Sequence, residues 1–326
     1  MSTLTVNGQL TLLEMANRID PKGKLVTIAE VLNENNPFIA DAPMVEANDT
    51  FSHTFTKRLS LPSGAVRGMN EGVSTEASQT IQAKAEMALI EARAENDIHI
   101  INNMPNPKSA RMQESRAFME GIGQTHADLV LYGNNADDPK EINGLATNMA
   151  ALDATNNIIG ASGTGGDVTS VYVVQWGVGQ AALLYPRGAK GAGIGHDDLG
   201  IESVLDSNSK KFRAYVDMFT LWTGLCIWDD RCIGRIANIE ASGTSNIFDE
   251  DDLITLLNNM KNGGRGATIY CNKTVKTQME IALKDKSNVN YTARAGEGLA
   301  GEEVLYFRGH PIRLCDAILD TETAIS

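Results

Sequence analysis

The chain has 326 residues, 42% hydrophobic and 21% charged, which is enough to bury a sizeable core in two packed regions and excludes a disordered protein. Its 41 acidic residues outnumber 28 basic ones for a formal net charge of -13, which argues against a protein that holds nucleic acid by counterion release. No run approaches the roughly eighteen consecutive apolar residues of a membrane span, and the opening lacks the basic and apolar regions of a signal peptide. Synthesis and use in a cytoplasm are expected. Cys226, Cys232, Cys271 and Cys315 show no CxxC spacing, so buried, reduced thiols are expected.

Two short helices are expected at the start. Thr11 with Glu14, and Thr27 with Glu30, match the capping box, in which each side chain satisfies the other residue's free backbone N–H. Their apolar stripes (Leu12, Leu13, Met15, Ala16, Ile19, then Ile28, Val31, Leu32) are narrow, and neither helix is long enough to stand alone in water. Pro37 ends the second. The segment reads as an arm that must lie against something else.

From Asn48 to Ser78 the sequence turns polar and extended. Phe51, His53, Phe55, Lys57 and Leu59 alternate onto one face, Pro62-Ser63-Gly64 supplies a turn, and Gly68 and Gly72 interrupt the return limb. A hairpin with so little to bury is marginal by itself, which points to packing on other copies of the chain. A merely mobile surface loop is the plainer alternative. Over Thr80–Arg93 alanine and glutamate favour helix while Ile81, Ala83, Ala85, Met87 and Leu89 alternate strictly. A strand continuing the return limb is preferred.

The spacing of Ala110, Met112, Ala117, Met119, Ile122, Ala127, Leu129 and Val130 predicts one long amphipathic helix that opens after Pro107 and stops at Gly133. Gly121 and Gly123 in its middle each cost about 1 kcal/mol against alanine, so a bend or a close backbone approach is expected there. Val168–Tyr185 reads as two strand runs around Gly177 and Gly179, and Phe212–Trp222 as a third, together suggesting a long antiparallel sheet beside the helix. The last quarter looks like a compact α+β unit. Asp249 caps a helix with Leu253, Leu256, Leu257 and Met260 on one face and Gly263 at its end; ATIYC is a strand, a second helix carries Val275, Met279, Ala282 and Leu283, and two final strands flank Gly309-His310-Pro311.

No chemical constellation assembles. The loop GASGTGGD at Gly160 lacks the lysine of a P-loop, and GEGLAG at Gly296–Gly301 leads into a strand instead of a helix, so it offers no helix N-terminus to an anion. RGAKGAGIGH reads as a loop between strands. His196-Asp197-Asp198 is the one local cluster with cation ligands, but neighbouring side chains in extended backbone point apart. No catalytic, cofactor-binding or metal residues are assigned.

Several segments resemble one subfamily of major capsid proteins of tailed double-stranded DNA bacteriophages with the Hong Kong 97 type fold. They are LTLLEMANRIDPKGKLVTIAEVLNENNPF, the helix exit LYGNNADDPKEINGL with Gly144-Leu145, TSVYVVQWG, FRAYVDMFTLWTGLCIWDDRCIGRIANI, and YCNKTVKTQMEIAL followed by FRGHPIRLCDAIL. The resemblance implies an α+β fold with an N-terminal arm (1–48), an extended loop (49–78), a peripheral domain (79–245) with a spine helix (108–131) and a long antiparallel sheet, and an axial domain (246–326), to which 134–165 are a further candidate. The peripheral-like strands precede the axial-like segment here, against the family's commoner order, which suggests a permuted connection. The implied function is self-assembly through pentamers and hexamers into an icosahedral shell around phage DNA, without enzymatic activity. Partners would be copies of the chain, a portal, scaffold and decoration proteins, and packaged DNA held weakly and non-specifically, with no membrane. The implied location is the virion, after assembly in the host cytoplasm. Contacts to neighbours would fall on Phe51, Phe55, Lys57, Arg58, Pro62 and Arg67, with Gly64, Gly68 and Gly72 as hinges. Some family members cross-link through a lysine on this loop; for Lys57 a plain surface charge is the default. The alternatives are a cytoplasmic α/β enzyme with a dispersed site using the Gly160 loop, and a cellular nanocompartment shell of the same fold.

Overall fold

The computed structural model describes residues 34, 36–153, 157–189, 192–206, 208–284, 291–294 and 304–326, together with the backbone of 5–6 and 9–10. The two expected opening helices and the Gly296–Gly301 turn lie outside the described residues. In chain order the strands are β1 (Thr5–Val6), β2 (Gln9–Leu10), β3 (Met44–Glu46), β4 (Ser52–Ser60), β5 (Gln79–Asp97), β6 (Ile158–Gly160), β7 (Val168–Val174) and β8 (Ala181–Tyr185). They continue with β9 (Gly195–Leu205), β10 (Lys211–Ile227), β11 (Ile233–Glu240), β12 (Thr268–Cys271), β13 (Tyr291–Arg294), β14 (Val304–Phe307) and β15 (His310–Leu314).

Two sheets organise the molecule. A six-stranded sheet runs β3-β8-β10-β5-β4, with β9 paired to the first half of β10. Its members β5 and β10 are 19 and 17 residues long and antiparallel, Ala214 facing Asp97 and Gly224 facing Met87. β5 is a strand as expected, but the alternating set Ile81–Leu89 is not its packed face: Ile81 and Leu89 are exposed, and the opposite face, through Ile90, Ala92 and Ala94, packs on the spine helix. The seven-stranded sheet runs β13-β14-β15-β12-β7-β11-β6, with the Glu250–Asn259 and Lys273–Lys284 helices supplying Leu253, Leu256, Leu257, Val275 and Met279 to one face.

Strand β7 corrects the expected single sheet. It does not pair with β8; it lies between β11 and β12, and all seven of its residues are buried. Val171 and Val173 face the helices, while Tyr172 and Val174 face the end of the spine helix. A strand covered on both faces has no polar side to betray its register. The Gly177–Gly179 turn is thus a crossover between sheets, and the seven-stranded sheet takes strands from both sides of the 181–227 segment.

The spine helix spans Pro107–Tyr132, 26 residues or about 39 Å. Asn106 caps it by accepting from Ser109 N–H, Pro107 takes the first position, and Gly133 N–H donates to the Leu129 carbonyl at the exit. Its expected apolar stripe is only half right. Ala110, Ile122, Ala127 and Val130 are buried and Leu129 half-buried, but Met112, Ala117 and Met119 are exposed. Besides Ala110, which packs on Ile101 and Met104, the first half is fastened by charge. Arg111 lies 2.7 Å from Asp217 and 2.9 Å from Asp198, with its guanidinium 4.8 Å from the Tyr215 ring. Asp217 is buried and also bonds His196 at 3.0 Å. The expected backbone approach at Gly121 and Gly123 is absent, since a Cβ on either would meet nothing within 4 Å.

Close approach occurs at the helix exit instead. Gly144 N–H donates to the Gly133 carbonyl at 2.9 Å, and a Cβ on Gly144 would sit 2.6 Å from the Leu131 carbonyl oxygen. Backbone atoms cannot rotate away. Gly144→Ala is therefore expected to destabilise the fold by about 1–3 kcal/mol, measured by urea unfolding, whereas Gly121→Ala should be neutral or stabilising by up to about 1 kcal/mol.

On the buried side of the helix, His126 bonds Thr223 at 3.0 Å. Burial lowers its imidazole from 6.5 to about 4, so the folded protein refuses a proton that the unfolded chain accepts. Stability is expected to be complete above pH 6.5 and to fall as pH drops through that window, by on the order of 3 kcal/mol. Comparing unfolding midpoints at several pH values for wild type and His126→Gln tests this; an unchanged slope in the variant would assign the pH dependence elsewhere.

The arm expectation is also narrowed. Phe38, Ala42 and Ala47 are buried in the chain's own body, so residues 36–48 root the N-terminal segment in its own subunit. Phe38 carries that root because Trp176 and Tyr270 enclose its ring.

Candidate functional site

The extended loop and its root form the candidate site. Strand β4 pairs antiparallel with the first half of β5, from Ser52 opposite Glu86 to Ser60 opposite Gln79, with a register shift at Leu59. The true return limb of the hairpin is therefore β5, and residues 61–78 form the excursion between the limbs. Every residue from 61 to 78 is exposed. Among the described residues, the hydrogen bonds of this segment all run within it. Ser63 donates from its N–H and Oγ to Glu76, holding that carboxyl below its ordinary range, and Gly68 N–H donates to Glu71 at 2.8 Å. Arg67 donates to the Glu71 carbonyl at 3.0 Å.

The root is held firmly. Asn48 accepts from Thr54 N–H at 2.9 Å and donates to its carbonyl at 2.6 Å, covering the free edge of β4. The alternation of Phe55 and Lys57 does put them on one face. Phe55 packs 6.1 Å from Trp228, with His53 edge-on to the same indole at 5.5 Å. Lys57 Nζ lies 2.6 Å from Asp230 Oδ1 and 5.7 Å from the Phe55 ring. Of the candidate contact residues, the structure thus draws Phe55 and Lys57 onto the chain's own surface, while Arg58, Pro62 and Arg67 stand in solvent. Phe51 is 63% exposed, its ring 5.9 Å from Trp222. Asp230 and Trp228 were missed because nothing local ties them to residues more than 170 positions earlier. The tip's apolar residues, Val66 and Met69 at 104% and 97% exposure, were also passed over, although a valine and a methionine in a polar run are a visible signal.

None of the candidate hinges has left-handed backbone, and a Cβ at Gly64 or Gly72 would meet nothing within 4 Å. Glycine is not sterically demanded at either position.

The groups that would serve an enzyme are committed to packing. The Gly160 loop runs from β6 into β7, not into a helix; a Cβ on Gly163 would strike the Asn238 carbonyl, and Thr164 N–H already donates to the Glu240 carboxylate. His196 and Asp198 lie on β9 with Asp217 and Arg111 as partners, and among the described residues no group of acidic, histidine and cysteine side chains is placed to hold a metal. Burial pushes the thiols of Cys226, Cys271 and Cys315 up to about 12, which keeps them protonated and unreactive.

A long sheet, a strut helix and an exposed loop suit a structural subunit. The family model for the major capsid protein GP7 matches residues 20–326. The chain belongs to the major capsid protein GP7 family. A chain in the structure of bacteriophage Epsilon15 is 26% identical and superposes with a TM-score of 0.72 over 99% of both chains. A chain of the bacteriophage JBD30 capsid, 12% identical, reaches 0.52 over 90% of this chain and 95% of that one, a likeness of fold alone. Among the curated proteins, none matches the chain in sequence. The fold is the Hong Kong 97 type expected from the resemblance, and this capsid family member is a shell-forming structural protein of a phage virion.

Proposed function

We propose that this capsid protein closes into five- and six-membered rings that join into an icosahedral shell around phage DNA, and that it carries out no catalysis. The six-stranded sheet and spine helix would form the peripheral part, and the seven-stranded sheet the axial part. The observation that carries the proposal is the loop 61–78, exposed throughout and, among the described residues, bonded only within itself. A segment that buries nothing in its own chain gains its order from a neighbour, and a contact between unlike patches closes a ring when the rotation permits. Arg58 and Arg67 would meet acidic neighbours there, given the net charge of -13, and such pairs set register and partner choice more than affinity. Phe51 and Pro62 would add contact area, and Gly64, Gly68 and Gly72 would let one sequence fit several environments.

A portal, scaffold and decoration proteins would complete the particle, built in the host cytoplasm, and the packaged DNA would be touched weakly and non-specifically. Negative-stain microscopy and size-exclusion chromatography test the central claim. The wild-type protein is expected in rings or megadalton particles, and a variant lacking residues 62–77 is expected to fold yet remain small. Wild-type protein that stays monomeric, or a loop deletion that assembles equally well, refutes it.

A further inference from the structure

Two Asn–Gly pairs lie among the described residues, Asn143-Gly144 and Asn262-Gly263. In such a pair the glycine nitrogen, unshielded by a side chain, can attack the asparagine Cγ. The fold gives the two pairs very different chances to react.

At Asn143 the reacting atoms are tied down. Gly144 is buried, its N–H donates to the Gly133 carbonyl at 2.9 Å, and a Cβ there would sit 2.6 Å from the Leu131 carbonyl oxygen. The Asn143 side chain accepts from Asn135 N–H at 3.2 Å, and its carbonyl accepts from Asn148 at 3.1 Å. Freeing the Gly144 nitrogen means opening the packed exit of the spine helix, which belongs to the slowly opening part of the structure.

At Asn262 they are not. The turn 261–266 links the Glu250–Asn259 helix to β12, and Asn262 and Gly263 are both exposed. Their backbone is left-handed, φ 54 and 66 with ψ 33 and 35, a conformation in which the Gly263 nitrogen is turned away from the Asn262 side chain. Ring closure therefore requires the peptide between them to rotate. What resists the rotation is one exposed bond, Gly263 N–H to the Met260 carbonyl at 3.1 Å. Glycines at 263, 264 and 266 make the backbone permissive, and a Cβ on Gly263 or Gly266 would meet nothing within 4 Å, so there is room to move.

We propose that Asn262 is a site of spontaneous deamidation in the folded protein, while the fold protects Asn143. Solvent base removes the Gly263 amide proton and the nitrogen attacks Asn262 Cγ. The new C–N bond closes a succinimide ring and the side-chain nitrogen leaves as ammonia. Water then opens the ring at either carbonyl, leaving an aspartate or an isoaspartyl linkage at 262, with nothing oxidised or reduced. The product lies where the turn is gripped. Buried Gln175 donates through Nε2 to the Lys261 carbonyl at 3.2 Å and the Arg265 carbonyl at 2.9 Å. An isoaspartyl linkage adds one main-chain atom between those two carbonyls. Either product also sets a new carboxylate beside Lys261, whose Nζ lies 3.0 Å from Asp229. The grip on the turn is loosened in both cases.

Peptide mapping by mass spectrometry, on purified protein held in mildly alkaline buffer with a parallel sample unfolded in urea, tests the assignment. Folded protein is expected to convert Asn262 at least about tenfold faster than Asn143, since reaction through local opening follows the open population, whereas the unfolded chain converts both at similar rates. Equal rates at the two sites in folded protein, or conversion of both only in urea, overturn the assignment; the left-handed turn would then protect Asn262 as well as packing protects Asn143. In Asn262→Asp, hydrogen exchange over 261–266 is expected to be faster than in wild type, and unchanged exchange there overturns the loosening of the turn.

Discussion

Replacing Glu322 with alanine is expected to destabilise the folded subunit by about 3–5 kcal/mol, because it leaves Arg235 charged and unpaired in the interior. Both side chains are 5% exposed, and Arg235 Nη2 lies 2.8 Å from Glu322 Oε2. The carboxylate also accepts from the Ser170 hydroxyl, from Tyr132 at 2.6 Å and from Tyr172 at 3.2 Å. Burial raises both phenols far above their ordinary value, so they remain donors. Arg235 is completed by the Met149 carbonyl and Ser170, each at 3.0 Å. With Glu322 N–H donating to the Val168 carbonyl, the residues after Leu314 are clamped onto the seven-stranded sheet and the end of the spine helix at one point. Removing the anion strips four donors of their acceptor at once. Urea unfolding of Glu322→Ala should show the loss; Glu322→Gln, which keeps some acceptor capacity, should lose less. The double change Glu322→Leu with Arg235→Met should recover much of the difference, since an apolar pair no longer carries a buried charge. A single variant within about 0.5 kcal/mol of wild type would mean that water reaches Arg235 and that the clamp is not closed in solution.

What the sequence made legible follows from how local each signal was. The spine helix announced itself through Pro107 and Gly133, which act within a turn of their own positions. Strand β5 was legible as a strand from alternation at Ile81, Ala83, Ala85, Met87 and Leu89, but not its inward face, which is the opposite one, Ala88 to Ala94, packed on the spine helix. Strand β7 offered no such contrast, being buried on both sides, so its sheet could not be assigned from its residues. The stripe on the first half of the spine helix misled for the opposite reason. Met112 and Met119 follow the helical period, yet beyond Ala110 that half is held by Arg111 and its two aspartates, from segments at least 87 residues away. At the candidate site the same division holds. Phe55 and Lys57 sharing a face could be read off their spacing, but Asp230 as the partner of Lys57 could not, because pairing across the fold leaves no trace in either neighbourhood. The resemblance supplied the architecture that these distant pairings build.

Phe38→Ala is expected to cost about 3–5 kcal/mol and to free the arm from its own subunit. The ring is fully buried, 4.8 Å from the Tyr270 ring and 6.4 Å from Trp176, which meets it edge-on. Those two aromatics are locked in turn, because Trp176 donates to the Tyr270 hydroxyl at 2.7 Å and that hydroxyl donates to Asp41 at 3.0 Å. Neighbours held this way cannot collapse into the space left by a lost ring, so the cavity term should be large. The same lesion removes the only aromatic side chain that the Phe38–Asp41 helix buries, leaving the 36–48 segment held chiefly by its short backbone pairing with β8, by the small buried Ala42 and Ala47, and by polar contacts of Asn36 and Asp41. Hydrogen exchange should therefore show amides 38–47 opening well below the global unfolding free energy in the variant, while those of β7 and β11 follow global unfolding. Phe38→Leu, which keeps most of the apolar volume, should restore a large part of the protection. If the alanine variant instead loses stability with the 36–48 amides still opening only globally, the root is secured by its backbone pairing with β8 and Phe38 is ordinary core. The distinction bears on assembly. A subunit whose arm root is fixed presents its arm and loop at a set distance apart, and loosening the root is expected to yield mixed rings and misclosed shells from protein that still folds.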